Sequence, residues 1–135
     1  MGRIAASVTV TNALDPSKSI RCDALVDTGA SHLTLPAAWR ERLGKLEDYA
    51  DVKLETATGK IVPGTICAPV KVQIEGFRPV ATEVLFVDIE PEDGQPEPLI
   101  GYLVLGQSQA AVDMLGHRLI HVKHLDLKAA RTPAP

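Results

Sequence analysis

Asp27-Thr28-Gly29 sets one carboxylate between two strand-like runs, Cys22-Asp23-Ala24-Leu25-Val26 before it and Ala30-Ser31-His32-Leu33-Thr34-Leu35-Pro36 after it. A carboxylate can take or give a proton at a reacting atom, and loops carried by rigid scaffolds are where such groups are usually displayed. Gly29, two residues on, lets the backbone turn and approach a ligand with no side chain in the way. The triplet occurs once: of nine Asp residues, only Asp27 precedes Thr-Gly. Asp and Gly are also favoured in ordinary turns, so the bland alternative is an Asx-type turn. The strands on either side weigh against it.

Other chemistry-bearing residues make weaker cases. His117, His121 and His124 would share a face on a helix, but R-L-I-H-V around His121 alternates as a strand, where His121 and His124 point apart. They have no Cys pair or carboxylate cluster beside them, so neither a metal site nor a cofactor is expected. Ser31, His32 and Asp27 can be drawn as a nucleophilic set. Neighbours on a strand face opposite ways, however, so Ser31 and His32 are expected not to meet. The acids from Glu90 to Glu97 read as a solvated loop, interrupted by Pro, and not as a cation site. Cys22 and Cys67 fit no metal spacing and read as buried thiols in strands, not as a disulfide.

The elements that must hold Asp27 are legible as alternation and punctuation. Ile4 to Thr11 alternates, Asn12 to Lys18 is a turn cluster, and Ser19 to Val26 forms the second arm of a hairpin. After the Asp27 loop comes a strand from His32 to Leu35. Pro36 then opens, and Gly44 closes, a helix of about two turns that includes Trp39. Alternation from Asp51 and the long run Ile61 to Ile74 flank Thr58-Gly59, a hairpin tip. Glu75-Gly76 turns the chain into a strand from Ala81 to Val87. Asp88 to Pro98 is a surface loop, Leu99-Ile100-Gly101 resumes apolar structure, and Tyr102 to Gln109 reads as a helix. Ala111 to Met114 and Arg118 to Val122 form a closing hairpin, and residues 128–135 read as a disordered tail. Many short strands with regular turn signals describe an all-β fold, a compact barrel or sandwich with one or two short helices.

Length and composition bound the function. The 135 residues fit one domain, placed at residues 4–127. A 45% hydrophobic content, mean hydropathy of +0.06 and only 4% aromatics favour strands filled by aliphatics. The net charge of -3 and pI near 5.8 lack the basic excess of a nucleic-acid footprint. No apolar run reaches the roughly 20 residues of a membrane span, and the start shows no signal-peptide block. A cytoplasmic protein is the expectation.

Ala24 to Pro36, reading A-L-V-D-T-G-A-S-H-L-T-L-P, resembles the active-site segment of the aspartic peptidases, especially the single-domain, retropepsin-like kind. Two further segments are similar to that family in the expected order. Leu54 to Ile61 matches the position of its mobile flap. Pro98-Leu99-Ile100-Gly101 is similar to the apolar-apolar-Gly element that supports the catalytic loop. Ser31 and Tyr102 stand where viral members commonly carry an acid and a basic residue, so both partners of that ion pair are missing together, and the pattern looks more like bacterial or cellular relatives.

The resemblance implies an acid-protease barrel, closed or partly open, in a twofold homodimer that hydrolyses peptide or protein substrates. Such chemistry needs two carboxylates sharing a site, and aspartic proteases are the standing example of such a pair. One chain supplies half of it, and a twofold dimer, the commonest oligomer, would supply the rest. Asp27 would be catalytic. Thr28 would brace the two loops across the axis, Gly29 and Ala30 would offer backbone groups to an extended substrate, and Ser31 would hydrogen-bond near the carboxylate. Ala57, Thr58 and Gly59 would close over the peptide. Leu99, Ile100 and Gly101 would support the loop. The rival is a protease-like barrel without turnover, working as a peptide-binding or assembly module.

Overall fold

The structure is a computed structural model describing residues 3–56, 58–88 and 97–124. Ala57, most of the acidic loop and residues 125–135 lie outside the described residues. Strands β1 (Ala5–Asn12), β2 (Asp15–Val26), β3 (Leu33–Pro36), β4 (Glu47–Glu55), β5 (Ile61–Ile74), β6 (Val80–Val87) and β7 (Leu99–Ile100) make one sheet in the order β1-β2-β7-β3-β6-β5-β4. An additional antiparallel pairing of β1 with β5, from Val8 opposite Ile74 to Asn12 opposite Val70, closes that sheet into a barrel. Strands β8 (Ala110–Asp113) and β9 (Arg118–His121) form a separate hairpin, and α1 (Tyr102–Gln107) precedes it. This is the all-β architecture expected, with two short helices.

Strand β5 does two jobs because it is 14 residues long. Its first half pairs with β4 and its second half with β1, while β6 runs along both. Val70, Val72 and Ile74 alternate into the barrel between exposed Lys71 and Gln73, and they meet Val8, Val10, Ile20, Leu33, Leu35, Val84 and Ile100 in the core. The other face of β6 is covered as well. Leu85 and Val87 pack with Val62 beneath Val52, Leu54 and Ile66, under the β4–β5 hairpin. Both faces of β6 are therefore apolar, and its sequence reads as a continuous run there rather than alternating.

Several boundaries differ from those the sequence predicts. The turn between β1 and β2 is much tighter than the cluster Asn12 to Lys18, since β2 begins at Asp15. Asn12 is the reason: it is 1% exposed, and its Oδ1 accepts from the Leu14 and Asp15 N–H groups at 2.9 and 3.2 Å. Its Nδ2 donates to the Leu43 and Lys45 carbonyls at 2.8 and 2.9 Å, tying that turn to the end of the Pro36 segment. The segment Ala37–Leu43 is a 3-10 helix, capped at Gly44 with φ of 72°. Short helical connectors of this kind are where 3-10 geometry is commonly used. Strand β4 starts at Glu47, four residues before the alternation becomes visible, because Glu47 to Ala50 are all exposed and leave no alternating pattern of burial.

Candidate active site

Asp27 follows directly from β2, and its loop runs to β3. The parallel pairing of β2 with β7 places Val26 opposite Ile100, and the Asp27 N–H donates to the Ile100 carbonyl at 3.0 Å. The loop then turns on itself. Gly29 N–H donates to Asp27 Oδ1 at 2.9 Å, and Ala30 N–H donates to the Asp27 carbonyl at 3.1 Å. Gly29 does not serve through a positive φ, as its backbone is ordinary. What it supplies is clearance, since a Cβ there would stand 3.3 Å from Asp27 Oδ1.

The second support comes from the start of α1. Tyr102 N–H donates to the Ala30 carbonyl at 2.8 Å and Leu103 N–H to the Ser31 carbonyl at 3.0 Å. Helix N–H groups at this end lack intrahelical partners, so the loop's carbonyls satisfy them. The approach is close enough that a Cβ on Gly101 would meet the Ser31 carbonyl carbon and oxygen at 2.4 Å. Leu99-Ile100-Gly101 thus supports the loop in two ways, by strand pairing at Leu99 and Ile100 and by backbone contact at Gly101.

Thr28 and Gly29 are exposed at the loop's tip. Asp27 and Thr28 line an open cavity of about 650 Å³ whose other walls include Arg3, Ile4, Val112 and Met114. Arg3 forms an exposed ion pair with Glu97. The β8–β9 hairpin therefore reaches the neighbourhood of the carboxylate, a placement that nothing in its sequence announced. Its tip carries Met114, 70% exposed, and Leu115, 96% exposed.

Thr58 and Gly59 sit apart from this loop, at the tip of the β4–β5 hairpin. Gly59 has φ of 84° with nothing within 4 Å of a would-be Cβ, as a free hairpin tip requires. Thr56 ties the tip together: its N–H donates to the Lys60 carbonyl at 2.8 Å and its carbonyl accepts from Gly59 N–H at 2.9 Å. Among the described residues no hydrogen bond joins this hairpin to the Asp27 loop. Ala57 falls outside the described residues.

The expectation that Ser31 and His32 face apart is corrected. Ser31 Oγ and His32 Nδ1 lie 2.8 Å apart, and His32 Nε2 lies 2.9 Å from Glu83 Oε1 on β6. The alternation argument fails because β3 begins only at Leu33, and His32 is in a bend. Ser31 consequently bonds to His32 and not to the Asp27 carboxylate. Glu83 was missed because β3 and β6 pair in parallel, Leu33 opposite Val84, which brings two residues 51 apart to the same strand ends.

His121 is engaged structurally. Its ring stacks on Phe77 at 4.2 Å, and Nε2 contacts the Gly76 carbonyl at 2.8 Å, docking β9 on the β5–β6 turn. Among the described residues no three His, Cys, Asp or Glu side chains converge as a metal set. Cys22 and Cys67 are free thiols, and burial pushes the Cys67 thiol up to about 11. No helix among the described residues is long and apolar enough to cross a membrane.

Residues 7–107 match the family described as aspartyl protease, a span that includes the Asp27 loop, the β4–β5 hairpin and the Gly101 support. The chain belongs to the aspartyl protease family. Among solved structures it is similar to EIAV protease complexed with the inhibitor HBY-793, at 25% sequence identity, covering 77% of this chain and 86% of that one with a TM-score of 0.56. No curated protein matches it. The fold is therefore retropepsin-like, and the matched span contains Asp27-Thr28-Gly29.

Proposed function

We propose that the protein is a homodimeric aspartic endopeptidase in which Asp27 and Asp27 of the partner subunit hold one water between them. The observation that carries this reading is a single D-T-G acid on a loop braced by both β7 and α1, in a chain of the aspartyl protease family. Two carboxylates brought together cannot both ionise, so one keeps a proton. The ionised member takes a proton from the water as it attacks the peptide carbonyl carbon. The protonated member donates to the forming oxyanion and later to the leaving nitrogen. No covalent acyl-enzyme forms.

The surface for the second copy is the one that flanks Asp27. Met114 and Leu115 expose large apolar side chains at the edge of the same cavity. A pairing that covers them also brings the two Asp27 loops together. Thr28, exposed beside Asp27, would brace its counterpart, and Thr58 and Gly59 would close over an extended peptide.

The test is Asp27→Asn, assayed by cleavage of disordered β-casein and by mass in solution. The proposal expects cleavage to be lost and the dimer to remain. Cleavage at the wild-type rate would overturn it. Binding of the casein without cleavage by the wild-type protein would favour a peptide-binding module instead.

A further inference from the structure

We propose that a second, smaller cavity binds a free α-amino acid with an aliphatic side chain, held as the zwitterion between Arg40 and Asp88. The cavity is about 160 Å³ and lies where the 3-10 helix meets β5 and the end of β6; its walls include Ala37, Arg40, Pro63, Thr65, Phe86 and Asp88. It shares no wall residue with the cavity at Asp27. The inference therefore stands apart from the peptidase reading above. Room for about five waters suits one amino acid and not a segment of chain.

The charged walls have hydrogen-bonding capacity to spare. The Arg40 guanidinium sits 5.9 Å from the centre of the Phe86 ring, and its bonds to the Leu46 carbonyl and the Asp48 carboxylate both use Nη2. Its Nε and Nη1 hydrogens remain for a second carboxylate. Asp88, exposed just past the end of β6, brings its own carboxylate to the same cavity. Thr65 Oγ1 donates to Asp51 Oδ1 at 3.4 Å, which leaves the hydroxyl oxygen to accept from a ligand. Beside these groups lie the apolar surfaces of Ala37, Pro63 and the buried Phe86.

That combination selects the ligand. A plain anion meets Arg40 but is repelled by Asp88, and a plain cation meets the reverse. A molecule with an ammonium and a carboxylate on one carbon offers each wall its opposite charge, and an aliphatic side chain covers Phe86 and Pro63. A polypeptide terminus carries only one of the two charges, so the free amino acid fits and the chain end does not. Ala37 and Arg40 belong to the 3-10 helix, whereas Pro63 and Thr65 belong to the β5 arm of the β4–β5 hairpin, opposite Lys53 and Asp51. A bound amino acid thus ties that hairpin to the 3-10 helix, beside the Arg40–Asp48 ion pair that already does so.

The experiment adds L-leucine to the full-length protein and follows melting and the emission of Trp39, the one tryptophan, which precedes Arg40 in the 3-10 helix. A Kd of about 1 mM is ordinary for a ligand of this size. Leucine at ten times that concentration should raise Tm by about 4 °C and change Trp39 emission saturably. N-acetyl-L-leucine, which lacks the ammonium, and L-leucinamide, which lacks the carboxylate, should do neither. Asp88→Asn should weaken leucine binding about fivefold, a modest loss because the carboxylate is exposed. Ala37→Leu, which fills the cavity with an apolar group, should abolish binding while circular dichroism stays that of the wild type. No saturable change up to about fifty times the expected Kd, an equal response to either blocked compound, or unaltered affinity in either variant would overturn the inference. None of these outcomes bears on cleavage at Asp27, which is tested separately.

Discussion

Replacing Gly101 by Ala puts the loop-bracing geometry to a quantitative test. Gly101 has φ of -89° and ψ of 175°, a conformation open to any residue, so backbone strain plays no part. The cost is contact. The new Cβ would lie 2.4 Å from the Ser31 carbonyl carbon and oxygen and 2.7 Å from the Ala30 oxygen, all backbone atoms that cannot rotate away. Restoring ordinary contact needs a shift of about 1 Å between α1 and the Asp27 loop, which breaks or stretches the Tyr102 and Leu103 hydrogen bonds. Two such bonds at about 1 kcal/mol each, plus about 1–2 kcal/mol of overpacking, give roughly 3 kcal/mol. For a chain of this size that lowers Tm by roughly 10 °C. Because the displaced loop carries Asp27, kcat/KM for casein should fall about a hundredfold, the usual consequence of misplacing a reacting group by about 1 Å. Gly106→Ala, in the same helix but with nothing within 4 Å of its would-be Cβ, is the control and should raise Tm slightly. Melting curves at fixed protein concentration and casein cleavage decide the matter. A Gly101→Ala protein that melts within about 2 °C of wild type and keeps full activity refutes the bracing argument.

Other perturbations test separate parts of the molecule. Leu115→Glu, at a tip position 96% exposed, should leave the fold intact by circular dichroism and shift the protein to monomer by light scattering, with cleavage lost; a stable, active dimer would mean that the hairpin does not cover the second copy. Asn12→Ala strands the Leu43 and Lys45 carbonyls and frees the β1–β2 turn, and should cost about 2–3 kcal/mol in urea unfolding; a loss under about 0.5 kcal/mol would contradict that role. The Asp113 carboxyl is held below its ordinary value of 3.8, chiefly by the Gly116 backbone N–H and then by Arg118 and the Leu115 N–H. Its support of the β8–β9 turn is thus complete above pH 3.8 and is lost as pH falls through the lower folded value. Amide exchange at Leu115 and Gly116 should quicken in that acid range in wild type and show no such step in Asp113→Asn; identical profiles would refute the assignment.

The sequence revealed most of what is local and little of what depends on distant pairing. Asp27-Thr28-Gly29 stood out because an acid, a Gly and two apolar runs are adjacent in the chain. The long β5 and the Thr58-Gly59 tip were legible for the same reason, alternation and a turn residue. The Gly101 contact was visible only as an apolar-apolar-Gly string, since its cause, a backbone 2.4 Å from the missing Cβ, belongs to the fold. Glu83 gave no signal, because only the parallel register of β3 and β6 brings it to His32. Alternation also misled at Ser31, where it was extended past the first residue of β3. The hairpin beside Asp27 was predicted as an element but not as a neighbour of the carboxylate, for a two-stranded sheet carries no local sign of where it docks.

The shared carboxylate site is tested most directly by mixing. Wild-type chains are exchanged with increasing amounts of Asp27→Asn chains, and casein cleavage is followed per wild-type chain. If each site needs Asp27 from both subunits, random pairing reduces that activity to about half at equal amounts and about a tenth at a ninefold excess of the variant. Activity per wild-type chain that stays constant throughout the exchange would contradict the account.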